Sequence, residues 1–469
     1  MIKRIFITLV VILFYTAQVQ AKIDIVYPTK KDVTINAETT FFSGNTDNNA
    51  TVTINSKPVK LWENNFFVHV VPLEYGKNKI KITSTKNGKT EEVTYTVKRN
   101  KLATKWIHKK KPDYDKNEEG VLCARTIKEN STVRSGPSTA FKRIYDFQQD
   151  IILYLDGKQG EYYKIKENGN EEYWIHESNI SEPITVPEKL LTKMNGTKQY
   201  SDENYDYQIF YLTNPVLYTI ERTGNLLKLV IYGVKGKENN FEYCFEFDGE
   251  LLAYECYYEG NNLIFKKAKL KNEINPNMPL KNINIFIDAG HGGKEKGTVG
   301  PSRVNEKDVN LDIALKLIKL LEAAGANVTY SRNCDVHVEL YDRVKMAKNN
   351  NALISLSIHN NSLPYGKDPY IQHGTETHYF NENAKMLAEI INNNLSNDLN
   401  LKNNGVKKSS FALNRSTNPI SVLIEVAYMI NPEEYILLKN EKFRDNVAKS
   451  IKKSLDEYII YLTNKKNMI

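Results

Sequence analysis

The period of the hydrophobic pattern changes near residue 281, and this change constrains the fold more than any other feature. Before it, runs such as ATVTINSKPVKLW (residues 50–62) alternate apolar and polar residues, which is typical of half-buried strands. After it, apolar runs such as NINIFIDA (282–289) alternate with helical patterns such as EKDVNLDIALKLIKLLEAAG (306–325). We therefore predict a multidomain chain in which all-β modules precede an α/β domain, with a mixed or parallel sheet flanked by helices.

The length of 469 residues allows about three or four domains of ordinary size. Stretches at 101–119 and 182–189 are charged or marked by proline, lack hydrophobic periodicity and are interpreted as linkers. They divide the chain into β-rich modules at 22–100, 120–182 and 190–275, followed by the α/β domain at 281–469.

The N-terminal segment 1–21 has the pattern of a secretory signal peptide. Lys3 and Arg4 precede an apolar run from Ile5 to Phe14, and small residues surround a cleavage site after Ala21. No later run approaches the roughly 20 apolar residues of a membrane-spanning helix. We predict that the mature chain is exported and has no stable membrane insertion.

Net charge and cysteine content exclude few classes of function. The formal charge of +8 suits an anionic wall polymer, a membrane or a nucleic acid, and equally an ordinary lysine-rich surface. The spacing of Cys244 and Cys256 allows a disulfide between hairpin neighbours, and four free cysteines are an equally good interpretation. No cysteine pair has zinc-ribbon spacing.

Four polar residues lie at or beside strand ends of the predicted α/β domain. His291 follows the strand at 282–289, Glu306 opens the next helix, His359 ends a later strand, and Glu425 lies within the apolar run SVLIEVAYM. Functional groups in such sheets cluster beyond the carboxyl ends of the strands. The glycines of IDAGHGG allow a tight loop and leave space beside the first histidine.

These residue types fit a metal-dependent hydrolase. Two histidines and one carboxylate form a catalytic zinc ligand set, and a second carboxylate then serves as general base. Glu425 suits that second role because a charge inside an apolar strand is otherwise expensive to bury. Other interpretations stay open at this point: loop histidines are more often structural, and Glu306 could simply stabilise the helix dipole.

The segment 283–462 resembles the catalytic domain of zinc-dependent N-acetylmuramoyl-L-alanine amidases of the type-three family. The motifs that carry the resemblance occur in the family's order: IDAGHGG, NEKDVNLDIALKL, RNCDVHVELYDRVKMAKNN, LISLSIHNN and NPISVLIEVAYMINPEE. The resemblance implies that zinc is held by His291, Glu306 and His359, and that Glu425 is the catalytic base. The implied reaction is hydrolysis by zinc-activated water of the amide that joins N-acetylmuramic acid to L-alanine in peptidoglycan.

Five further residues have weaker assignments. Asn361 and Arg415 match positions that would help to orient the substrate, whereas Asn360 replaces a commoner alanine and puts only the local shape in doubt. Asp288 and Asp342 could orient the ligands through hydrogen bonds, and purely structural roles are equally compatible with the sequence.

The preceding modules also resemble known types. Residues 22–100 resemble bacterial Ig-like modules, and residues 120–182 resemble a bacterial Src-homology-three-like barrel through VRSGPS and YWIH. Residues 190–275 are either a plain β-sandwich or a wall-targeting domain. The expected partners are peptidoglycan and a protein activator, without nucleic acid, at a periplasmic or secreted site associated with the cell wall. A carboxypeptidase acting on wall peptides and a non-catalytic wall-binding protein are the alternatives.

Overall fold

The computed structural model describes residues 21–100, 115–116, 121–166, 172–186, 191–235, 240–247, 251–270 and 274–467. Residues 1–20 of the predicted signal peptide and most of the 101–119 linker lie outside these residues. Within the described part, no helix combines the length and the apolar composition that crossing a membrane requires.

The first module consists of two sheets that share one core. Its strands are β1 Ile23–Tyr27, β2 Asp32–Ile35, β3 Thr39–Thr46, β4 Thr51–Ile54, β5 Lys57–Pro58, β6 Phe66–Pro72, β7 Gly76–Lys86 and β8 Lys89–Arg99. One sheet has the order β1-β3-β6 and the other β2-β8-β7-β4-β5. Phe42 and Phe67 from the first sheet pack with Ile82 and Val97 from the second, as the alternating pattern predicts.

The second and third β-rich regions share a continuous core. Their strands are β9 Asp115–Lys116, β10 Val121–Arg125, β11 Ser131–Arg134, β12 Arg143–Phe147, β13 Ile152–Gln159, β14 Tyr162–Ile165, β15 Tyr173–His176, β16 Ile184–Val186, β17 Met194–Ser201, β18 Tyr205–Leu212, β19 Tyr218–Thr223, β20 Leu226–Tyr232, β21 Asn240–Glu246, β22 Tyr254–Glu259 and β23 Asn262–Ala268. Val133 and Leu153 of the second region belong to the same buried cluster as Phe210 and Leu229 of the third. The hypothesis that Cys244 pairs with Cys256 is wrong: the two lie in different sheets, and all four cysteines are free thiols.

The C-terminal domain has the predicted α/β architecture with a mixed sheet. Its elements are β24 Asn284–Ala289, α1 Glu306–Ala323, β25 Asn327–Tyr330, α2 Leu340–Asn349, β26 Ile354–Asn361, β27 Thr375–Tyr379, α3 Lys385–Leu399, β28 Asn403–Lys408, β29 Ile420–Tyr428, α4 Pro432–Lys439 and α5 Glu441–Asn467. The strand order is β25-β24-β26-β29-β27-β28, and the β27–β29 pair alone among these neighbours is antiparallel. The pattern analysis missed β28, a polar edge strand, and the short α4.

Helices cover both faces of this sheet because alternate residues of a strand point in opposite directions. On β24, Ile285 and Ile287 join the large core with α1, α3 and α5, whereas Phe286 packs with Ala347 of α2 on the other face. The sheet is thus buried on both sides, and only its strand ends can present polar groups to a ligand.

The first module packs directly onto the α/β domain. Phe66 is fully buried in the core of the α/β domain, where its ring meets Tyr435 edge-on with centroids 5.2 Å apart. The guanidinium of Arg303 forms an ion pair with both carboxylate oxygens of Asp24, and the Asn45 amide donates to the Pro301 carbonyl at 3.0 Å. Buried apolar contacts therefore hold the first module on the α/β domain, and polar contacts define its orientation relative to that domain.

Neighbouring phenylalanines allow the docking to be tested separately from the module's own fold. Phe66 faces the α/β domain and Phe67 faces the module core, and both are fully buried. Each Phe→Ala change removes contacts worth about 3–5 kcal/mol. We expect Phe66→Ala to increase the radius of gyration in X-ray scattering while the module stays folded. Phe67→Ala should instead lower the melting temperature of the module, and equal effects of the two changes on the radius would contradict this arrangement.

Candidate active site

Parallel strand pairing brings the predicted site residues together. The strands β24, β26 and β29 are neighbours that run in the same direction, so their carboxyl ends meet at one edge of the sheet. His291 follows β24, while His359 on β26 lies opposite Glu425 on β29. Glu306 is the first residue of α1, the helix that follows the His291 loop.

His291, Glu306 and His359 form a compact group whose candidate ligand atoms all lie within 4.8 Å of one another. The Glu306 Oε1 atom is 3.2 Å from Nε2 of His291 and 3.1 Å from Nδ1 of His359. Glu306 is buried, and the two histidine rings are partly exposed. A buried carboxylate between two imidazoles is suited to holding a metal ion from one side.

The glycines around His291 are required by close contacts. A Cβ atom on Gly290 would lie 2.4 Å from the ring of His359, and one on Gly297 would lie 2.5 Å from the carboxylate of Glu306. His291 itself has a φ of 60°, in the left-handed region that few non-glycine residues adopt. The loop thus turns sharply and carries its histidine back over the sheet edge.

A network of donors holds the Glu306 carboxylate in its buried position. The backbone amides of Thr298 and Asn360 donate to it at 2.8 and 3.2 Å, and the Asn310 side chain donates at 3.2 Å. Asn360 also donates to the Asn310 side chain at 2.7 Å, so this departure from the family pattern supports the network. Burial alone would raise the pKa of Glu306, but hydrogen bonds from the two histidines outweigh it and hold the pKa well below its ordinary value.

Glu425 has the opposite electrostatic environment. Burial raises the pKa of its carboxyl well above the ordinary value, and the nearby carboxylates of Glu306 and Glu376 add to this effect. Its Oε2 atom is shielded from solvent and has no hydrogen-bond partner among the described residues. The site therefore holds two carboxylates whose environments move their pKa values apart, which is typical of a division between ligand and base.

The group lies in a pocket of about 520 Å³, a size that suits a small-molecule or polymer-segment ligand. Asn361 lines this pocket, and its amide nitrogen donates to Glu376 at 2.7 Å. Of the six residues predicted to bind metal, act as base or orient substrate, the structure thus brings five to one cavity.

Arg415, predicted to orient the substrate, does not line this cavity. Its Nε atom is 3.3 Å from the Asp146 carboxylate, at the contact between the α/β domain and the second β-rich region. It lines a separate cavity of about 310 Å³ together with Tyr145 and Tyr254. The sequence could not reveal this position, because the partner belongs to a different module far away along the chain.

A buried ion pair fixes the loop that carries His291. The guanidinium of Arg343 is 2.6 Å from the fully buried Asp288 carboxylate and donates to the His291 carbonyl at 2.8 Å. Ser357 donates to the second oxygen of Asp288 at 2.6 Å. Burial alone would raise the pKa of Asp288, but Arg343 and Ser357 outweigh it and lower the pKa.

Arg332 holds the same loop from another side. Its guanidinium donates to the carbonyl oxygens of Ala289, Gly290 and Lys307 at 2.8–2.9 Å. The sequence interpretation did not single out either arginine as an individual residue, because their partners are mainly backbone carbonyls that leave no residue signature. Asp342, by contrast, is exposed and lies outside the network.

We expect Asp288→Asn to destabilise the α/β domain by about 3–5 kcal/mol at pH 7, because the Arg343 charge loses its buried partner. Since the pKa of Asp288 is lowered on folding, its contribution is complete above about pH 4 and is lost as the pH falls through the folded-state value. Denaturant unfolding from pH 3 to pH 7 measures both effects.

The exposed Asp342→Asn change is the matched control and should shift stability by less than about 0.5 kcal/mol. Equal losses for the two aspartate variants would contradict a special role of the Asp288–Arg343 pair.

The α/β domain is similar to known proteins. The model of a family described as N-acetylmuramoyl-L-alanine amidase matches residues 285–457. The amidase LytC of Bacillus subtilis is 36% identical over 177 residues, which cover 37% of this chain and 35% of LytC. The probable cell wall amidase LytH of Staphylococcus saprophyticus is 34% identical over 187 residues, which cover 39% of this chain and 61% of LytH.

The chain therefore spans about a third of LytC and less than two thirds of LytH. A third relative is covered more completely. The germination-specific N-acetylmuramoyl-L-alanine amidase of Bacillus subtilis is 31% identical over 199 residues, which cover 39% of this chain and 81% of that protein. From this coverage and the family match, we conclude that the chain belongs to the N-acetylmuramoyl-L-alanine amidase family.

Proposed function

We propose that this protein hydrolyses the amide bond between the lactyl group of N-acetylmuramic acid and L-alanine of the peptidoglycan stem peptide. The observation that carries the proposal is the combination, in one pocket, of a histidine–glutamate–histidine group and a separate carboxylate oxygen without a hydrogen-bond partner among the described residues. Hydrolysis of an unactivated amide needs both an electrophile at the carbonyl and a base for the water molecule.

The three candidate ligands fit a zinc ion. Ligand bonds of about 2.0–2.1 Å in a tetrahedral site separate neighbouring ligand atoms by roughly 3.3 Å. Two of the three separations, 3.2 Å for His291–Glu306 and 3.1 Å for His359–Glu306, are close to that value, and all three ligand atoms lie within 4.8 Å of one another. A zinc ion held by these residues would polarise the scissile carbonyl and acidify a water molecule.

Glu425 takes the role of general base in this proposal. Its carboxylate accepts a proton from the attacking water and then donates it to the leaving amine of L-alanine. The apolar strand around it raises the pKa of the carboxyl, and a carboxylate with a raised pKa is the stronger base once ionised. Glu376 and Asn361 hydrogen-bond beside it and keep that side of the pocket ordered.

The remaining parts of the interpretation are also proposals. We propose that the protein acts on the cell wall, outside the cytoplasmic membrane, because the substrate lies there and segment 1–21 resembles a signal peptide. The wall-binding role of the β-rich regions and the need for a protein activator stay predictions, as do the Ig-like and Src-homology-three-like module types.

We expect Glu425→Gln to lower the rate of product release from purified peptidoglycan by about 10²–10⁴-fold, because the amide cannot accept the water proton. Mass spectrometry should detect stem peptides that begin with L-alanine, together with peptide-free glycan, in the wild-type digest only. The exposed Glu433→Gln is the control and should leave the rate unchanged. Release of single amino acids would instead identify a carboxypeptidase.

Metal removal gives a second test. Treatment with a chelator should abolish hydrolysis, and added zinc should restore it. We expect His359→Ala to lose most of the bound zinc, measured by atomic absorption on dialysed protein, because the group loses one of its three ligands. His176→Ala, in the second β-rich region, should retain about one zinc ion per chain, whereas full zinc content in the His359 variant would refute the ligand assignment.

A further inference from the structure

The pocket that contains the candidate active site is not built by the α/β domain alone. Val26, Tyr27 and Thr29 of the first β module line it together with His291, Glu306, His359 and Glu425. These module residues lie at the end of β1 and in the turn that follows it. The cleft is therefore composite, because one of its walls comes from a module that is far from the candidate ligands along the chain.

An aromatic stack holds this wall against the α/β domain. The ring of Tyr27 lies parallel to Phe41 of its own module, with centroids 4.3 Å apart, and stacks on Tyr365 of the α/β domain at 4.8 Å. Tyr365 lies in the loop that follows β26, shortly beyond Asn361 of the pocket. The stacking thus fixes the wall relative to the loop that follows β26, the strand that carries His359.

Buried apolar residues continue this contact beneath the stack. Phe41 and Val68 of the module form one cluster with Leu363, Tyr428 and Ile430 of the α/β domain. Tyr428 ends the strand that carries Glu425, and Ile430 itself lines the pocket. These buried contacts add to those of Phe66 in holding the module against the α/β domain.

An ion pair also holds the wall against the α/β domain. Arg303 lines the pocket and binds the carboxylate of Asp24, which precedes Tyr27 on β1, through two nitrogens. The hydrogen bond to Arg303 is the main cause that lowers the pKa of Asp24, so the pair is charged at neutral pH. The wall is thus held by this ion pair as well as by the aromatic and apolar contacts.

We propose that the first β module completes the substrate cleft and that Tyr27 and Thr29 contact the muramoyl peptide beside the scissile amide. This inference rests on the proposed amidase function and extends it, because it assigns substrate contacts outside the α/β domain. Tyr27 contributes a rigid apolar surface that its stacking partners hold in place, and Thr29 contributes an exposed hydroxyl. Both act on substrate binding rather than on the chemical step, so their effect belongs in KM.

The main test places a larger side chain on the wall, at an exposed position outside its packed core. Thr29 is exposed and lines the pocket, and its neighbour Lys30 is exposed but does not. In the full chain, Thr29→Trp should raise KM for a soluble N-acetylmuramoyl-tripeptide at least tenfold, since the indole occupies substrate space. Lys30→Trp should change KM less than about twofold, and both variants should retain wild-type zinc content and melting temperature.

Removal of the aromatic wall gives the complementary test. We expect Tyr27→Ala to raise KM about fivefold to tenfold with a smaller change in kcat, because the ring that forms the wall is lost. Tyr27→Phe keeps the ring stack and should raise KM less than Tyr27→Ala does. If the wild type is active and Thr29→Trp and Tyr27→Ala have the same KM as the wild type, the proposal of a composite cleft is wrong. An increased rate in Tyr27→Ala would also overturn it, because the wall would then be an obstruction. Failure of the proposed function is distinguishable, since it would abolish hydrolysis in the wild type itself.

Discussion

The burial of one carboxylate determines the form of the whole site. Glu306 lies at the start of α1 with about 3% of its surface exposed, and such a group is costly to bury unless donors surround it. Its partners come from three segments: the glycine loop with His291, the end of β26 with His359 and Asn360, and the first turns of α1. Each segment is then fixed by a further contact, so the position of the carboxylate constrains loops that are far apart in sequence.

Most of the candidate site residues could be selected from the sequence, through their positions at strand ends and the family resemblance. A glutamate inside an apolar strand is costly to bury without a function, whereas a histidine between glycines and a glutamate at a helix start are also compatible with structural roles. The resemblance to the amidase family is what singles out all three. Their mutual placement follows from parallel strand pairing, which the alternation of strands and helices already predicts. These are the parts of the site in which local sequence and global fold agree.

The supporting residues could not be found in the same way. Arg332 and Arg343 act mainly on backbone carbonyls, and an arginine that binds a carbonyl has no sequence signature. Tyr27 has the appearance of an ordinary strand residue, and its contact with Tyr365 depends on how two separate domains dock. Linkers and periodicity divide a chain into modules, but they contain no information about the faces through which those modules meet.

The shared core of the second and third β-rich regions has a mechanical consequence. Because Val133 and Leu229 belong to one buried cluster, the two regions form a single stiff body rather than two units joined by a hinge. This body is also attached to the α/β domain, through Asp146 to Arg415 and through Glu255 to Lys348. The second and third β-rich regions are therefore held together at one position relative to the cleft that contains His291 and Glu425.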